Sequence, residues 1–306
     1  MKKVKSFILA AAAAMLAVFA SPVFAEECLK VATGSPGKGY SRIFSDIQKV
    51  CSQKVPLCEV NSTGGLDNLD LLATNQADAG LVQVDTWFDM KMGDQNVADL
   101  KAVIPINFDY MHVIVNQNGF SVQGEKKWGF MKGDAKTIYI SKFSDLKGMP
   151  VAVIGSAQLL VRKLDKQHGL GLQFVDVDSD DAAFKQVQSG QIAAAISISG
   201  WPSGTFSKKK VSDGLVPVAF DMPVSSPYFV RSLNYRNVGS YNVNFLAVAS
   251  IIVTRPFTTS AAGKQVDSLK ACLVENLTSL KEGSFEPGWK DVSNPNETYG
   301  VPAFRK

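Results

Sequence analysis

Apolar positions along the chain switch repeatedly between a period of two and a helical period. Residues 28–32 alternate as a strand, and Ile43, Phe44, Ile47 and Val50 then fall on one helix face. Leu66, Leu69, Leu72 and Ala73 predict a second helix. Residues 79–84 predict a buried strand, 87–92 the start of a third helix, and 102–106 a further strand. Residues 111–115 predict the strand that leaves this first unit. Such winding predicts a mostly parallel sheet flanked by helices.

From residue 119 to 140 no period is visible, and the segment reads as an elaborated surface loop that includes Lys126, Lys127, Trp128 and Met131. The alternation then resumes. Residues 143–148 predict a short helix or turn and 151–154 a strand. Leu159, Leu160, Lys163 and Leu164 share a helix that Gly169 can close. Residues 174–177 predict a strand, 182–189 a helix and 192–198 a buried strand. A late strand over 244–253, and a helix carrying Val266, Leu269, Leu273, Leu277 and Leu280, need a sheet to cover, which the first unit offers. The chain then runs through lobe 1 (26–110 and 222–306) and lobe 2 (111–221), and the two crossing segments form a hinge over a cleft.

Three turns of lobe 1 place a helix start where a strand ends: residues 31–40, 60–65 and 79–85, each rich in Gly, Ser, Thr or Asn. Strand ends in an open α/β sheet face one crevice, and helix N-termini there present free N–H groups and partial positive charge. A small anion suits such a crevice.

Residues 1–25 read as a secretory signal. Lys2, Lys3 and Lys5 precede an apolar run over 8–19, Ser21-Pro22 breaks it, and Val23 and Ala25 are the small residues of a cleavage site after Ala25. That run is shorter than the roughly 20 residues of a spanning helix. The exported chain is then about two ordinary domains long. Three of the lysines behind the net charge of +4 lie in the leader, so the remainder is close to neutral, and nucleic acid is not an expected partner.

Four cysteines in an exported chain predict disulfides. Cys51 and Cys58 bracket a short connection, and a bridge between them would add about 2 kcal/mol. Cys28 and Cys272 form the second pair or remain buried thiols. Catalysis is not expected: the only histidines are His112, in an apolar strand, and His168, beside Gly169. They offer neither a metal cluster nor a nucleophilic triad, and no phosphate loop or dinucleotide fingerprint appears. No cofactor is implied.

Taken in order, Val31-Ala-Thr-Gly-Ser-Pro-Gly, Asn61-Ser-Thr-Gly-Gly-Leu-Asp-Asn-Leu-Asp-Leu-Leu-Ala73 and Ala77-Asp-Ala-Gly-Leu-Val-Gln-Val-Asp85 resemble the TAXI family, extracytoplasmic solute receptors of one class of TRAP transporters. Weaker likeness continues through Asp145-Leu-Lys-Gly148, Gly190-Gln-Ile-Ala-Ala194 and Ser199-Gly200. The resemblance implies an α/β periplasmic binding protein type II fold. It also implies a receptor that captures a carboxylate or amino acid, glutamate or 2-oxoglutarate among them, and delivers it to a TRAP-type membrane permease. A periplasmic sensor or scaffold with the same fold is the alternative.

Carried over by motif, the ligand contacts are Ser35 and Tyr40, then Thr63, Gly64 and Gly65, then Gln83 and Asp85. Gly155, Ser156, Ala157, Gln158 and Ser199 match on lobe 2, with Trp201 as a wall of the cleft. Many relatives have a Gly-Ser-Gly-Thr type of loop where this chain has Gly155-Ser-Ala-Gln158. Ser35, Thr63 and Asp85 also suit helix caps, and Asp85 favours an amino acid over a plain dicarboxylate because an acid repels a carboxylate. Gly64→Val is expected to weaken binding far more than folding.

Overall fold

A computed structural model describes residues 27–124, 134–257 and 260–305. The expected signal segment, and residues 126–129 and 131–133 of the expected surface loop, lie outside the described residues.

The opening alternation is β1 (Leu29–Ala32), α1 (Gly39–Cys51), β2 (Leu57–Val60), α2 (Gly65–Ala73), β3 (Ala79–Gln83), α3 (Val84–Met90) and the single turn α4 (Gln95–Ala98). β1 pairs in parallel with both β2 and β3. Successive strand residues point to opposite faces, so Val31 and Leu81 meet α1 while Ala32 and Val82 meet the α2 side. Ile43, Phe44, Ile47 and Cys51 form the buried stripe of α1. Each full burial of such a side chain stabilises by roughly 1.5–3 kcal/mol.

The two strands expected over 102–106 and 111–115 are one, the sixteen-residue β4 (Lys101–Asn116), buried from Ala102 to Val115. β5 (Phe120–Gln123) and β6 (Ala135–Ile138) pair as a separate antiparallel ribbon, so the ends of the segment read as loop are extended. The second winding is β7 (Pro150–Val153), α5 (Ala157–His168), β8 (Gln173–Val175), α6 (Asp180–Gln188) and β9 (Ala194–Ser199). Gly169 closes α5 in the left-handed conformation, and the Ser179 hydroxyl caps α6 by accepting from Ala182 N at 3.2 Å. β10 (Leu215–Pro217), β11 (Tyr228–Tyr235), β12 (Ser240–Thr254) and α7 (Ala261–Glu282) complete the chain. α7 buries Val266, Leu269, Leu273, Leu277 and Leu280, the stripe its spacing predicts.

The main sheet runs β2-β1-β3-β12-β4-β9-β7-β8, with β10 on β4 and β11 on β12. Its two ends are parallel and its middle is antiparallel, because β12 returns between β3 and β4 and β4 runs against β9. β12 pairs with β3 and β4 at its C-terminal end, and β4 exchanges β12 for β9 at Tyr110. This topology agrees with the expected α/β class, with two long strands crossing between sheet-bearing halves. Among the described residues no helix is long and apolar enough to cross a membrane.

The disulfides correct the expected Cys51 to Cys58 bridge. Cys51 ends α1 facing α7 and is bonded to Cys272, at a Cα separation of 5.9 Å. Cys58 lies on β2, whose parallel pairing with β1 sets it beside Cys28, its partner at 5.6 Å. Helix packing and strand register override proximity in sequence. The second expected pair, Cys28 to Cys272, is replaced with it, and no cysteine is free. Two bridges suit an oxidising compartment.

Candidate ligand site at the strand crossing

Strand register lines up Gln83 of β3, Ser250 of β12 and Asn107 of β4 in one row across the sheet. Asp109, two residues along β4, shares the face of Asn107 and becomes the hub of the row. Its carboxylate accepts from Gln83 Nε2 at 3.0 Å, Ser250 Oγ at 2.6 Å and Asn107 Nδ2 at 3.1 Å. Because the Ser250 hydroxyl donates to Asp109, it accepts from Tyr40 O–H, 2.9 Å away in the first turn of α1. Burial, reinforced by Asp109, pushes the Tyr40 phenol well above its ordinary range, so Tyr40 stays a neutral donor.

Asp85, in the first turn of α3, stands beside this hub. Its carboxylate accepts from its neighbour Thr86 N at 2.8 Å and from Tyr228 O–H of β11 at 3.0 Å. Desolvation raises its pKa despite those donors. On the other side of β4, Asp291 accepts from Phe108 N at 3.2 Å and Tyr110 O–H at 3.1 Å, and burial raises its pKa as well. Asp291 ends the turn Pro287–Asp291, where Gly288 presses on Asn107: an added Cβ would lie 2.7 Å from Asn107 Cβ.

Two buried polar atoms at the crossing have no partner, Asn107 Oδ1 and Trp201 Nε1. Trp201 follows β9, and the Gly200 backbone before it lies close to the Asn107 amide. The first and second windings also meet at the surface, where Lys163 of α5 donates to Asp89 of α3 at 2.9 Å.

Of the residues read from the sequence, the structure brings Tyr40, Gln83 and Asp85 into this cluster. Ser199 lies in an adjoining network. Tyr235 O–H accepts from Ser203 N at 2.9 Å and lies 2.6 Å from His112 Nε2, while Ser199 Oγ lies 3.4 Å from His112 Nδ1. Burial lowers the His112 pKa to about 4.

Ser35 is exposed in its turn, as are Gly155, Ser156 and Gln158, while Ala157 is buried. The Gln158 amide turns back to Val153 O at 3.4 Å. Thr63 is engaged locally: its N–H and hydroxyl donate to Asp67 Oδ2 at 3.0 and 2.8 Å, so a carboxylate of the chain itself occupies the start of α2. Behind it, Asn68 ties three strand ends together. Its amide donates to Thr33 O and Leu81 O at 2.6 and 2.7 Å and accepts from Ser62 Oγ at 2.6 Å. Gly65 approaches the end of β3, where an added Cβ would lie 3.6 Å from Gln83 N.

Gly64 has φ 134° and ψ −158°, a conformation open essentially to glycine alone. The expectation that valine here would spare folding is therefore revised. Gly64→Val is expected to cost about 1–3 kcal/mol, whereas Gly65→Ala, which meets only ordinary contacts, should stay within about 0.5 kcal/mol. Urea midpoints of the two variants compare them, and equal midpoints would refute this assignment of the turn.

Sequence reading missed Asn107, Asp109, Ser250 and Tyr228. A signal was present in Asn107 and Asp109, two polar residues spaced by two on one face of a strand otherwise almost wholly apolar.

No protein-family model and no curated protein matches the chain. Several solved structures are similar to it at a low level. An ancestral arginine-binding protein bound to arginine is 15% identical, with 87% of this chain and 98% of that one covered and a TM-score of 0.49. The probable amino-acid ABC transporter extracellular-binding protein ytmK from Bacillus subtilis is 14% identical over 83% and 93%, with a TM-score of 0.48. The GluR0 ligand-binding core from Nostoc punctiforme, in complex with L-glutamate, is 13% identical over 83% and 97%, with a TM-score of 0.46. Likeness at this level says nothing of a ligand.

Proposed function

We propose that the chain is an extracytoplasmic solute receptor that captures a small carboxylate or amino acid between two lobes, 26–110 with 222–306 and 111–221, and delivers it to a TRAP-type membrane permease. The observation that carries this reading is the polar row at the crossing of β4 and β12, where two continuous strands join the halves and two buried polar atoms wait for partners. Polar groups buried in that way cost stability unless a ligand completes them. The permease and the periplasmic location come from the resemblance of the three opening turns; the two disulfides are consistent with export.

Entry requires the halves to part, because Gln83, Asp85, Asn107 and Asp109 are all buried and Lys163 spans to Asp89 above them. Closure over a solute would re-form that ion pair.

A thermal-shift screen of amino acids and carboxylates on the chain from residue 26 tests the reading. A solute at 100 times its dissociation constant should stabilise by about 2.7 kcal/mol. Silence across the whole screen would leave the sensor or scaffold alternative, which needs no transported solute.

A further inference from the structure

Two acids share the strand crossing, and among the described residues no cation bonds either of them, although Arg231 lies over the Phe108 ring and Lys163 over the Tyr228 ring. Asp85 and Asp109 are 6% and 7% exposed, and among the described residues neither is in an ion pair. Every group that donates to them is neutral: Tyr228 and Thr86 to Asp85, and Gln83, Ser250, Asn107 and, at 3.5 Å, Tyr40 to Asp109. Like charges held together away from water are unfavourable, and neutral donors offset only part of that cost. A positive group is the missing partner.

Asn107 supplies the second, independent sign. It is 4% exposed, and its Nδ2 donates to Phe108 O and to Asp109 Oδ1, both at 3.1 Å, which fixes the orientation of the amide. Its Oδ1 is left as a buried acceptor with no donor, on the same amide whose Nδ2 is bonded to Asp109. An acceptor in that place adds nothing for an anion. Beside Asn107, beyond Gly200, the Trp201 N–H is a donor with no acceptor. The two vacant valences are complementary to a molecule with a cationic donor at one end and an acceptor at the other.

We propose that Asp85, Asp109 and the Asn107 carbonyl seat the protonated amine of the solute, which makes the ligand an amino acid and not a plain dicarboxylate. This rests on the receptor reading above and narrows it. A metal ion fits the donors less well, because no group of three or more acidic, histidine or cysteine side chains among the described residues is placed to hold one.

The test is calorimetric titration of the chain from residue 26 in sodium-free potassium phosphate, with matched pairs that differ at the amine: L-glutamate against 2-oxoglutarate, L-alanine against pyruvate, L-leucine against 4-methyl-2-oxopentanoate. An amino acid should bind at least about 100-fold more tightly than its 2-oxo partner, the scale of a buried charge pair that loses one member. Asp109→Asn should weaken that amino acid by a similar factor, with the melting temperature confirming that the variant is folded. If the variant does not fold, the matched pairs still decide. A 2-oxo acid that binds as tightly as its amino acid overturns the assignment and leaves the receptor reading intact. Stabilisation by sodium chloride alone also overturns it, by giving the acids to a metal cation. Absence of binding by both classes overturns the receptor reading, and this one with it.

Discussion

Cutting the Cys51–Cys272 bridge with the paired change Cys51→Ser and Cys272→Ser is expected to cost about 5 kcal/mol, a third or more of the stability of an ordinary domain. The two cysteines are 221 residues apart, so the bridge removes more freedom from the unfolded chain than Cys28–Cys58, which spans 30. Chain-entropy arithmetic puts the second bridge at about 3.5 kcal/mol. The first also pins α1 to α7 above the apolar cluster of Ile47, Leu269 and Leu273, so its loss loosens packing as well as topology. Urea denaturation of the two paired variants under oxidising conditions separates them. An equal or greater loss from Cys28→Ser with Cys58→Ser would rule out this account.

Asp85→Asn is expected to move stability and affinity in opposite directions. Burial holds the Asp85 pKa above its ordinary value, with Asp89, Asp109 and the Tyr40 and Tyr228 hydroxyls as the titratable groups around it. A carboxyl whose pKa is raised by folding is protonated more readily in the folded state. Its penalty is therefore absent below the unfolded pKa, grows as pH rises and is complete above the folded pKa. The variant should melt higher than the parent at pH 7, by about 2 °C for each 1 kcal/mol recovered, and the two should converge near pH 3. Affinity for an amino acid should fall about 100-fold. Melting curves across that pH range check the sign. A variant that melts lower at pH 7 would show that the Tyr228 and Thr86 hydrogen bonds outweigh desolvation.

Much of the fold is legible in the pattern of apolar residues, because the stripes of α1 and α7 and the alternation of strands with helices are local periodicities. What lies beyond is set by partners distant in sequence. Pro105 and the polar Asn107 and Asp109 make β4 read as two strands, and only the pairing of Lys101–Tyr110 with β12 and of Tyr110–Val115 with β9 makes it one. The cysteine pairing was misread for the same reason, since α1 against α7 and β1 beside β2 decide it.

The candidate site divides along similar lines. Tyr40, Gln83 and Asp85 stand at ends of elements, where turn chemistry announces them. Asp109, Asn107 and Ser250 sit inside strands that read as core, and their convergence depends on a register no single segment contains. Thr63 looked free to donate to a solute, and its own neighbour Asp67 takes both of its hydrogens.

The continuity of β4 and β12 governs how the protein can be taken apart. Each strand begins in one half of the sheet and ends in the other, so separate expression of either half would sever both midway and bare a row of unpaired N–H and C=O groups at each cut. Split reporters and chimaeras built on this chain should join outside these strands, in the exposed turn 35–38 or at the exposed positions 210–212, where a new terminus leaves the ladder whole.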